Sequence, residues 1–352
     1  MLMTPGPTEV PDRVRKAMSR PIHNPDIDED FFDFYHRLEN KLKKIYDTEK
    51  DVLILGGEGI LGLEASIASL IDKGDEVLCM SNGIFGEGFA DFVKMYGGDP
   101  VMCSSSYDES IVEEKIKMLI DEHDFTAATM VHCETPTGVL NDLEDILTDL
   151  KSDGIITIVD AVSSLGGTPV PTEDIDICIG GSQKCFSSPP GLTTLSVSDD
   201  AWEMIMDKDD QPFYSGLAVW KRSWFEDEWF PYTHLVSNLY ALDESFDMIL
   251  EEGLEDVYQR HEDVALLCRD LGKDIGLKLY PKDEELCSPT VTAFHVEKNA
   301  KEIQKGLKEK HDILIATSLR ELKDDIIRIG HMGYNADEEK VRKTMDALKD
   351  VI

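Results

Sequence analysis

Short apolar runs alternate with amphipathic segments along most of the chain. The apolar runs lie at 51–55, 76–80, 126–134, 154–160, 175–182 and 193–198. The segments between several of these runs place their apolar residues at helical spacing, at 61–71, 89–97 and 141–154. Alternation of this kind predicts βαβ units, in which a mostly parallel sheet is covered by helices on both faces.

The N-terminal region does not show this alternation of apolar runs and amphipathic segments. Residues 1–11 contain three prolines and a glycine, which favours an extended arm over a helix. The first predicted helix spans 29–46, where apolar residues recur on one face. We therefore predict an N-terminal arm at 1–15, followed by a large domain at 16–250.

The pattern changes again near residue 250. A long charged helix is predicted over 251–274, and shorter strands and helices follow it, at 290–296, 299–310, 313–316, 326–330 and 337–350. This shorter unit predicts a small C-terminal α/β domain at 251–352. The predicted fold class is thus α/β, with a large domain built on a mostly parallel sheet and a smaller domain after it.

Composition excludes several classes of partner. The chain has 352 residues, of which 71 are Asp or Glu and 35 are Lys or Arg, so its formal charge is −36. Neither nucleic acid nor an anionic membrane surface is an expected partner of so acidic a protein. A small anion is not excluded, because a helix N-terminus or one basic side chain can bind it locally.

The compartment is predicted from what the sequence does not contain. Seven cysteines are scattered without a C-x-x-C pair, which is typical of reduced thiols. The N-terminus has no apolar core of a signal peptide, and no segment reaches the ~18 apolar residues that a membrane helix needs. A cytoplasmic location is expected.

A glycine-rich turn follows the first apolar run. Residues 57–62 fit the G-x-G-x-x-G pattern of dinucleotide-binding proteins. That pattern also needs an acidic residue at the end of the next strand, but here Met80, Ser81 and Asn82 end it. A nicotinamide dehydrogenase is therefore an unfavoured alternative. The turn better suits one phosphate, although the carboxylate of Glu58 repels a phosphate unless it points away.

An acidic segment before the first predicted helix resembles a metal-binding loop. Asp26, Asp28 and Asp30 alternate as calcium ligands do. A calcium loop then requires Gly and Glu at positions that hold Phe31 and Arg37. We predict no metal site.

Two residues at the ends of predicted strands carry the strongest chemical signal. Asp160 ends the run at 154–160, and Lys184 follows the run at 175–182 in a glycine-rich turn. The carboxyl ends of parallel strands face the ligand crevice of an open α/β sheet. A partly desolvated lysine is a nucleophile for an aldehyde, and a carboxylate across the crevice can hold a pyridinium proton. Enzymes that use pyridoxal phosphate require both groups, a lysine that bonds to its aldehyde and an acid beside its ring nitrogen.

Longer motifs around this pair match a known family. The segments are TPGPTEV (4–10), SNGIFGEGF (81–89), HCETPTGV (132–139), IVDAVSSLGG (158–167), GGSQKCFSSPPGL (180–192) and RIGHMGYN (328–335). Over essentially its whole length the chain resembles the class V aminotransferases, pyridoxal-phosphate enzymes of the aspartate-aminotransferase-like fold (fold type I). The branch that it resembles most contains the alanine–glyoxylate and serine–pyruvate aminotransferases.

The resemblance implies a role for each matching residue. Lys184 would form the Schiff base with pyridoxal 5′-phosphate and move the substrate proton, and Asp160 would pair with the pyridine nitrogen. Arg328 would clamp the substrate carboxylate, and Gly6 would line the substrate site. The remaining implied cofactor contacts are Gly59, Ile60, Phe85, Thr135, Val162, Gln183 and, from the partner subunit of a homodimer, Thr233.

Two positions depart from the family pattern. Glu58 stands in the phosphate turn where mammalian-type alanine–glyoxylate enzymes have Ser. Phe230 stands where those enzymes have a Tyr that reaches the phosphate, and Tyr232 is a candidate substitute.

The predicted reaction transfers an amino group between small molecules. We expect alanine or serine as donor and glyoxylate or pyruvate as acceptor. Three related chemistries stay open: transamination of aspartate, transamination of ureidoglycine, and a cysteine desulfurase or lyase reaction. A desulfurase needs a mobile catalytic cysteine, for which Cys287 is a poor candidate.

Overall fold

The computed structural model describes residues 1–297 and 299–352 and contains twelve α-helices in that part of the chain. The helices are α1 Asp12–Ala17, α2 Glu29–Tyr46, α3 Gly59–Leu70, α4 Ile84–Met95, α5 Glu113–Glu122, α6 Glu144–Ser152, α7 Asp199–Asp207, α8 Leu217–Trp220, α9 Val236–Glu252, α10 Leu254–Asp274, α11 Ala300–His311 and α12 Glu338–Lys349. A π-helical turn, Lys221–Glu226, continues α8.

Thirteen strands form three sheets in the same part of the chain. They are β1 Asp51–Gly56, β2 Glu76–Ser81, β3 Asp99–Ser104, β4 Ala127–Val131, β5 Cys133–Glu134, β6 Val139–Leu140, β7 Ile156–Asp160, β8 Ile177–Gly181, β9 Leu192–Val197, β10 Lys278–Leu279, β11 Val291–His295, β12 Ala316–Thr317 and β13 Ile326–Gly330.

The largest sheet has seven strands in the order β1-β9-β8-β7-β4-β2-β3. Strand β9 pairs antiparallel with both of its neighbours, and the pairs from β8 to β3 are parallel. Strands β4, β7, β8 and β9 are buried along their whole length, as expected for strands covered on both faces. The predicted α/β fold with a mostly parallel sheet is confirmed.

The carboxyl ends of β7 and β8 lie side by side. Asp160 is the last residue of β7 and pairs in register with Ile179 of β8. Lys184 follows β8 by three residues, in the turn that leads to β9. The two candidate catalytic residues therefore leave the sheet at the same edge, as their positions after apolar runs predicted.

The second sheet is antiparallel and has the order β10-β11-β13-β12. Its apolar core is formed by residues of α10, α11, α12, β11 and β13, and Met3 of the N-terminal arm packs into it. The large sheet has its own core. These two cores support our division into an arm at 1–15, a large domain at 16–250 and a small domain at 251–352, which stays a proposal.

The sequence placed one long helix incorrectly. The helix predicted over 251–274 begins at Leu254, because Gly253 takes a positive φ of 92° and ends α9. Glu251 and Glu252 belong to α9, a helix that the sequence analysis missed. The predicted strand at 313–316 was also wrong in its bounds, since only Ala316 and Thr317 pair with β13.

The acidic segment before α2 has a structural role. Asp28 caps the helix, and its carboxylate accepts a hydrogen bond from the amide of Asp30 at 3.1 Å. Among residues 1–297 and 299–352, no group of three His, Cys, Asp or Glu side chains is arranged to hold a metal ion. No helix in this part of the chain is both long and apolar enough to span a bilayer.

Candidate active site

A cavity of about 290 Å³ opens at the carboxyl edge of the large sheet. Nine of the eleven residues predicted from the sequence line it, namely Gly6, Gly59, Ile60, Phe85, Thr135, Asp160, Val162, Gln183 and Lys184. They come from the N-terminal arm, the starts of α3 and α4, the end of β7, and the segments after β5, β7 and β8. The fold thus gathers residues that are up to 178 positions apart along the chain (Gly6 to Lys184).

Lys184 is half-buried and lines this cavity. Its Nζ donates a hydrogen bond to the carbonyl oxygen of Pro5 at 2.7 Å. Gly6 has a φ of 96°, and a Cβ there would lie 2.3 Å from Cδ of Lys184, so the arm can pass this side chain only with glycine. Burial and the nearby charge of Arg328 lower the pKa of Lys184 to about 8.

Asp160 is buried and lines the same cavity as this lysine. Its Oδ1 accepts a hydrogen bond from the amide of Val162 at 2.8 Å. Burial raises the pKa of Asp160 to about 6, although the Val162 amide and the charge of Lys184 oppose the shift. The carboxylate form therefore predominates at neutral pH.

Val162 and Phe85 form two apolar walls of the cavity. Val162 packs so closely on Gly59 and Gly181 that a Cβ on either glycine would lie 2.8 or 2.9 Å from its methyl groups. Phe85 lies in the first turn of α4. A flat aromatic ring fits between walls of this kind.

The start of α3 forms one end of the cavity. Gly59 and Ile60 are its first two residues, so their amide N–H groups have no acceptor within the helix. Such groups bind an anion well. The amide of Gln183 lies at the same end but donates to the carboxylate of Glu58 at 3.3 Å. Glu58 itself lines the cavity, so this end holds both anion-binding groups and a negative charge.

Arg328 lies beside the cavity, in the centre of β13, and is buried. Its Nη1 donates to the carbonyl oxygen of Thr135 at 3.0 Å, and its Nε and Nη2 donate to that of Thr317 at 3.0 and 2.7 Å. Burial lowers the pKa of Arg328 to about 10. The guanidinium is thus held by neutral carbonyl groups and keeps its positive charge at neutral pH.

Thr135 connects this arginine to the sheet edge. Its hydroxyl donates to the hydroxyl of Ser163 at 2.7 Å, which in turn donates to the carbonyl oxygen of Cys133 at 2.9 Å. Ser163 also lines the cavity. The sequence analysis did not select it, although it lies within the motif at 158–167.

Thr233 lies outside the cavity of its own chain. It is exposed, and its hydroxyl donates to the carboxylate of Asp26 at 3.0 Å. Phe230 is buried in an aromatic cluster, with its ring centroid 4.6 Å from that of Trp224. Tyr232 stacks on Tyr214 at 4.4 Å and accepts a hydrogen bond from Trp220 at 3.0 Å.

Two further groups at the site lie within the motifs at 4–10 and 132–139 but were not selected from the sequence. The carbonyl oxygen of Pro5 is a backbone group, which any residue can supply. Glu134 is a lone acidic residue between Cys133 and Thr135, and only the fold reveals that it is fully buried beside Phe85.

The ring-binding part of the cavity fits pyridoxal phosphate. It offers the amine of Lys184 for an aldehyde, the carboxylate of Asp160 for a ring nitrogen, and the walls of Val162 and Phe85 for the ring faces. The phosphate end fits through its helix N-terminus, whereas the carboxylate of Glu58 at that end opposes an anion.

Comparisons with known proteins agree with this geometry. The family model "Aminotransferase class-V" matches residues 2–339. An uncharacterized aminotransferase of Methanocaldococcus jannaschii is 38% identical over 96% of this chain and 89% of its own length. Pyridoxamine–pyruvate transaminase of Mesorhizobium japonicum is 32% identical over 95% and 86%. The crystal structure of an alanine–glyoxylate aminotransferase from Nostoc sp. superimposes with a TM-score of 0.96 at 28% identity, over 99% and 94% of the two chains.

Proposed function

Since the chain belongs to the class V aminotransferases, enzymes with pyridoxal 5′-phosphate as cofactor, we propose that it transfers the amino group of alanine or serine to glyoxylate or pyruvate. The observation that carries this proposal is the placement of Lys184 and Asp160 in one cavity beside a buried Arg328. The alternative of a nicotinamide dehydrogenase is rejected by the family to which the chain belongs.

Lys184 is proposed to act both as a nucleophile toward the cofactor aldehyde and as a base toward the substrate. Its lowered pKa leaves part of the amine neutral near pH 7, so the amine can attach the cofactor aldehyde. When the substrate amine replaces that of Lys184, the freed amine of Lys184 can remove the proton from the substrate Cα. It can then donate a proton to a different atom. The carbonyl oxygen of Pro5 is placed to hold the amine while it is free.

Asp160 is proposed to hold a proton on the ring nitrogen of the cofactor. The cofactor, when bound, supplies an electron sink for the charge left by the departing proton. Asp160 strengthens that sink because its buried carboxylate favours a positive charge beside it. The amide of Val162 fixes the carboxylate in one orientation.

Arg328 is proposed to bind the α-carboxylate of the substrate. Its planar guanidinium can donate two parallel hydrogen bonds to a carboxylate. The carbonyl oxygens of Thr135 and Thr317 hold it in place without neutralising its charge. Aspartate is a less favoured donor, because none of the described residues that line the cavity is an arginine, so no guanidinium besides that of Arg328 is placed to bind a side-chain carboxylate.

A desulfurase reaction is disfavoured by the position of Cys287. The residue is buried, and burial raises the pKa of its thiol to about 11. It lies at the end of a short 3₁₀ turn, Glu284–Leu286, instead of in a mobile loop over the cavity. A thiol that is buried and protonated is a poor nucleophile.

We also propose that the active enzyme is a homodimer with shared sites. Thr233 is exposed and does not line the cavity of its own chain, so it is accessible to a partner subunit. Large apolar side chains are exposed around it in the sequence, including Phe213, Tyr214, Trp229 and Leu235. Large apolar side chains that are exposed in a single chain are often buried in an interface between subunits.

A half-reaction screen tests the proposed substrates. The purified holoenzyme is mixed with each common amino acid, and the conversion of the bound cofactor to its amine form is followed by visible absorbance. Alanine and serine should convert the cofactor faster than the other amino acids, and pyruvate or glyoxylate should reverse the change. If aspartate or glutamate were the fastest donor instead, the proposed substrate class would be wrong.

Glu58 favours a second candidate function, transfer of the amino group of free pyridoxamine to pyruvate. A relative at 32% identity carries the name pyridoxamine–pyruvate transaminase, and pyridoxamine has no phosphate. The carboxylate of Glu58 lies at the end of the cavity where a phosphate would otherwise bind. Like charges disfavour that phosphate, whereas an unphosphorylated ring meets no such repulsion.

The two candidates differ in a direct binding measurement. If pyridoxamine is the substrate, the wild-type protein should bind pyridoxal more tightly than pyridoxal phosphate. Glu58→Ser should then change the ratio of the two dissociation constants at least tenfold in favour of the phosphate, since one repulsive charge is removed. An unchanged ratio would remove Glu58 from the phosphate end and with it this candidate.

A further inference from the structure

Glu134 is a carboxylate that the proposed reaction does not use. It ends the short strand β5 and is fully buried. Its Oε1 accepts a hydrogen bond from the amide of Gly86 at 2.7 Å, and its Oε2 accepts one from the amide of Phe85 at 3.3 Å. Both amides belong to the first turn of α4, so this carboxylate binds the start of a helix from another part of the fold.

The buried position of this carboxylate disfavours its charge and requires a glycine beside it. Burial raises the pKa of Glu134 to about 7, against the effect of the two amides. A Cβ on Gly83 would lie 2.4 Å from Cδ of Glu134, so only glycine fits beside it. A buried ionisable group and a required glycine are more than helix capping alone needs, since Ser, Thr or Asn can cap a helix from within its own segment.

The contact joins two walls of the cavity. Phe85, whose amide is bound by Glu134, presents its side chain to the cavity. Thr135 follows Glu134 directly, lines the cavity as well, and accepts a hydrogen bond from Arg328 through its carbonyl oxygen. Glu134 does not itself line the cavity, so its influence on a bound ring must pass through its neighbours.

We propose that Glu134 is a positioning residue, which holds Phe85 against the cofactor ring by fixing the start of α4. This inference rests on the proposed function, because it assumes that a ring lies between Phe85 and Val162. A substitution at Glu134 should then weaken cofactor binding only as long as Phe85 is present.

A double-mutant cycle tests this dependence. The dissociation constant of pyridoxal phosphate is measured by visible absorbance for the wild type, Glu134→Gln, Phe85→Ala and the double variant. Glutamine keeps the shape of the side chain but replaces one acceptor oxygen with a donor that faces an amide N–H. Glu134→Gln should raise the dissociation constant roughly tenfold in the wild-type background, as for loss of a hydrogen bond to a charged group. In the Phe85→Ala background, Glu134→Gln should raise the dissociation constant less than about twofold.

Glu39→Gln is the matched control. Glu39 is also a buried glutamate, with a pKa that burial raises to about 8, but it lies on α2 and accepts its hydrogen bond from Trp224. This variant should leave the dissociation constant of the cofactor unchanged, even if it lowers the melting temperature. An effect on binding equal to that of Glu134→Gln would show that general destabilisation, and not position, is being measured.

Each other outcome overturns the proposal. An unchanged dissociation constant in folded Glu134→Gln, or equal effects in both backgrounds, would show that Glu134 does not act through Phe85. If Glu134→Gln does not fold, Glu134→Asp is measured in the same cycle, since it keeps the charge and shortens the reach. If neither folds, Glu134 is structural and the proposal fails. Failure of the proposed function itself is seen separately, as a wild type that binds neither pyridoxal nor pyridoxal phosphate.

Discussion

At the scale of single residues, the site depends on two opposite pKa shifts. Burial lowers the pKa of Lys184 to about 8 and raises that of Asp160 to about 6. Between these values Asp160 carries its charge, while the neutral fraction of Lys184 increases with pH. The amine becomes a nucleophile in a range where an exposed lysine, with its pKa near 10.4, would stay protonated.

Attachment of the cofactor to the apoenzyme should therefore accelerate with pH around a midpoint near 8, because only the neutral amine of Lys184 reacts. The rate is measured from the growth of visible absorbance between pH 6 and 10. Arg328→Gln should move the midpoint upward, since the positive charge of Arg328 helps to lower the lysine pKa. A wild-type midpoint at the value of a free lysine would contradict the burial of this amine.

Arg328→Lys should raise the KM for amino acids roughly 10- to 100-fold, with a smaller effect on cofactor binding. Lysine keeps the charge but loses the fork, and hydrogen bonds to charged groups contribute about 1.5–3 kcal/mol. Steady-state kinetics with alanine measure the change. Arg269→Lys is the control, because Arg269 is also buried but its guanidinium donates to Glu262 and to the carbonyl oxygen of Cys287, whereas that of Arg328 donates to Thr135 of the cavity lining. Equal effects of the two substitutions would remove Arg328 from the substrate site.

At the scale of elements, the N-terminal arm connects the small sheet to the site. The amide of Met3 donates to Leu314 and its carbonyl accepts from Gly330, both at 2.8 Å. The arm then passes Lys184 and returns to the turn after β8, where the amide of Thr8 donates to Gln183 at 3.0 Å. The arm therefore forms part of the cavity wall and fixes the lysine turn.

Gly6→Ala should lower both the stability of the protein and its affinity for the cofactor. The new Cβ would lie within 2.7 Å of three atoms of Lys184, in a backbone conformation that alanine disfavours. We expect a loss of about 1–3 kcal/mol from the backbone strain alone. Calorimetric melting and cofactor titration measure the two effects.

Gly74→Ala is the matched control for this substitution. Gly74 has a similar φ of 91°, but a Cβ there meets no atom within 4 Å. This variant should lose stability from backbone strain only and bind the cofactor normally. A Gly6→Ala variant with normal cofactor affinity would show that the arm does not shape the site.

The elements were predictable where apolar spacing was regular. The strands β7 and β8 and the helix α2 were found because buried strands form apolar runs and α2 has one apolar face. The start of α10 was missed because the charged residues before Gly253 continue the pattern of the next helix. Strand β3 was missed because it lies at the sheet edge, is largely exposed and contains a proline.

The residues of the site were likewise predictable only where the sequence pattern indicates them. Asp160 and Lys184 lie directly after apolar runs, so their place at the sheet edge followed from the sequence. The other seven predicted residues that line the cavity were selected through the resemblance to the family. Glu134 was not found, because its partners are backbone amides of a helix 48 residues away, and backbone groups carry no sequence signal.

At the scale of the whole molecule, the site of a single chain is incomplete if Thr233 contacts only the cofactor of a partner subunit. Thr233 is exposed in its own chain, close in sequence to Trp229 and Leu235, which are 52% and 44% exposed. Burial of such residues against a second copy would stabilise a dimer. The proposed dimer thus accounts for both the apolar surface and the distant threonine.

Light scattering should give a mass twice the 39.5 kDa of one chain. Lys184→Ala and Thr233→Val should each be less active than the wild type, and a mixture refolded together should regain activity above either variant. The reason is that a mixed dimer has one site with an intact lysine and an intact threonine. A monomer, or a mixture without recovery, would contradict shared sites.

The most direct test of the central claim is the identity of the residue that carries the cofactor. The holoenzyme is reduced with borohydride and digested, and the modified peptide is identified by mass spectrometry. The account predicts that the peptide containing Lys184 carries the reduced pyridoxyl group, and that Lys184→Ala yields no modified peptide. Modification of another lysine, or a modified peptide from Lys184→Ala, would contradict it.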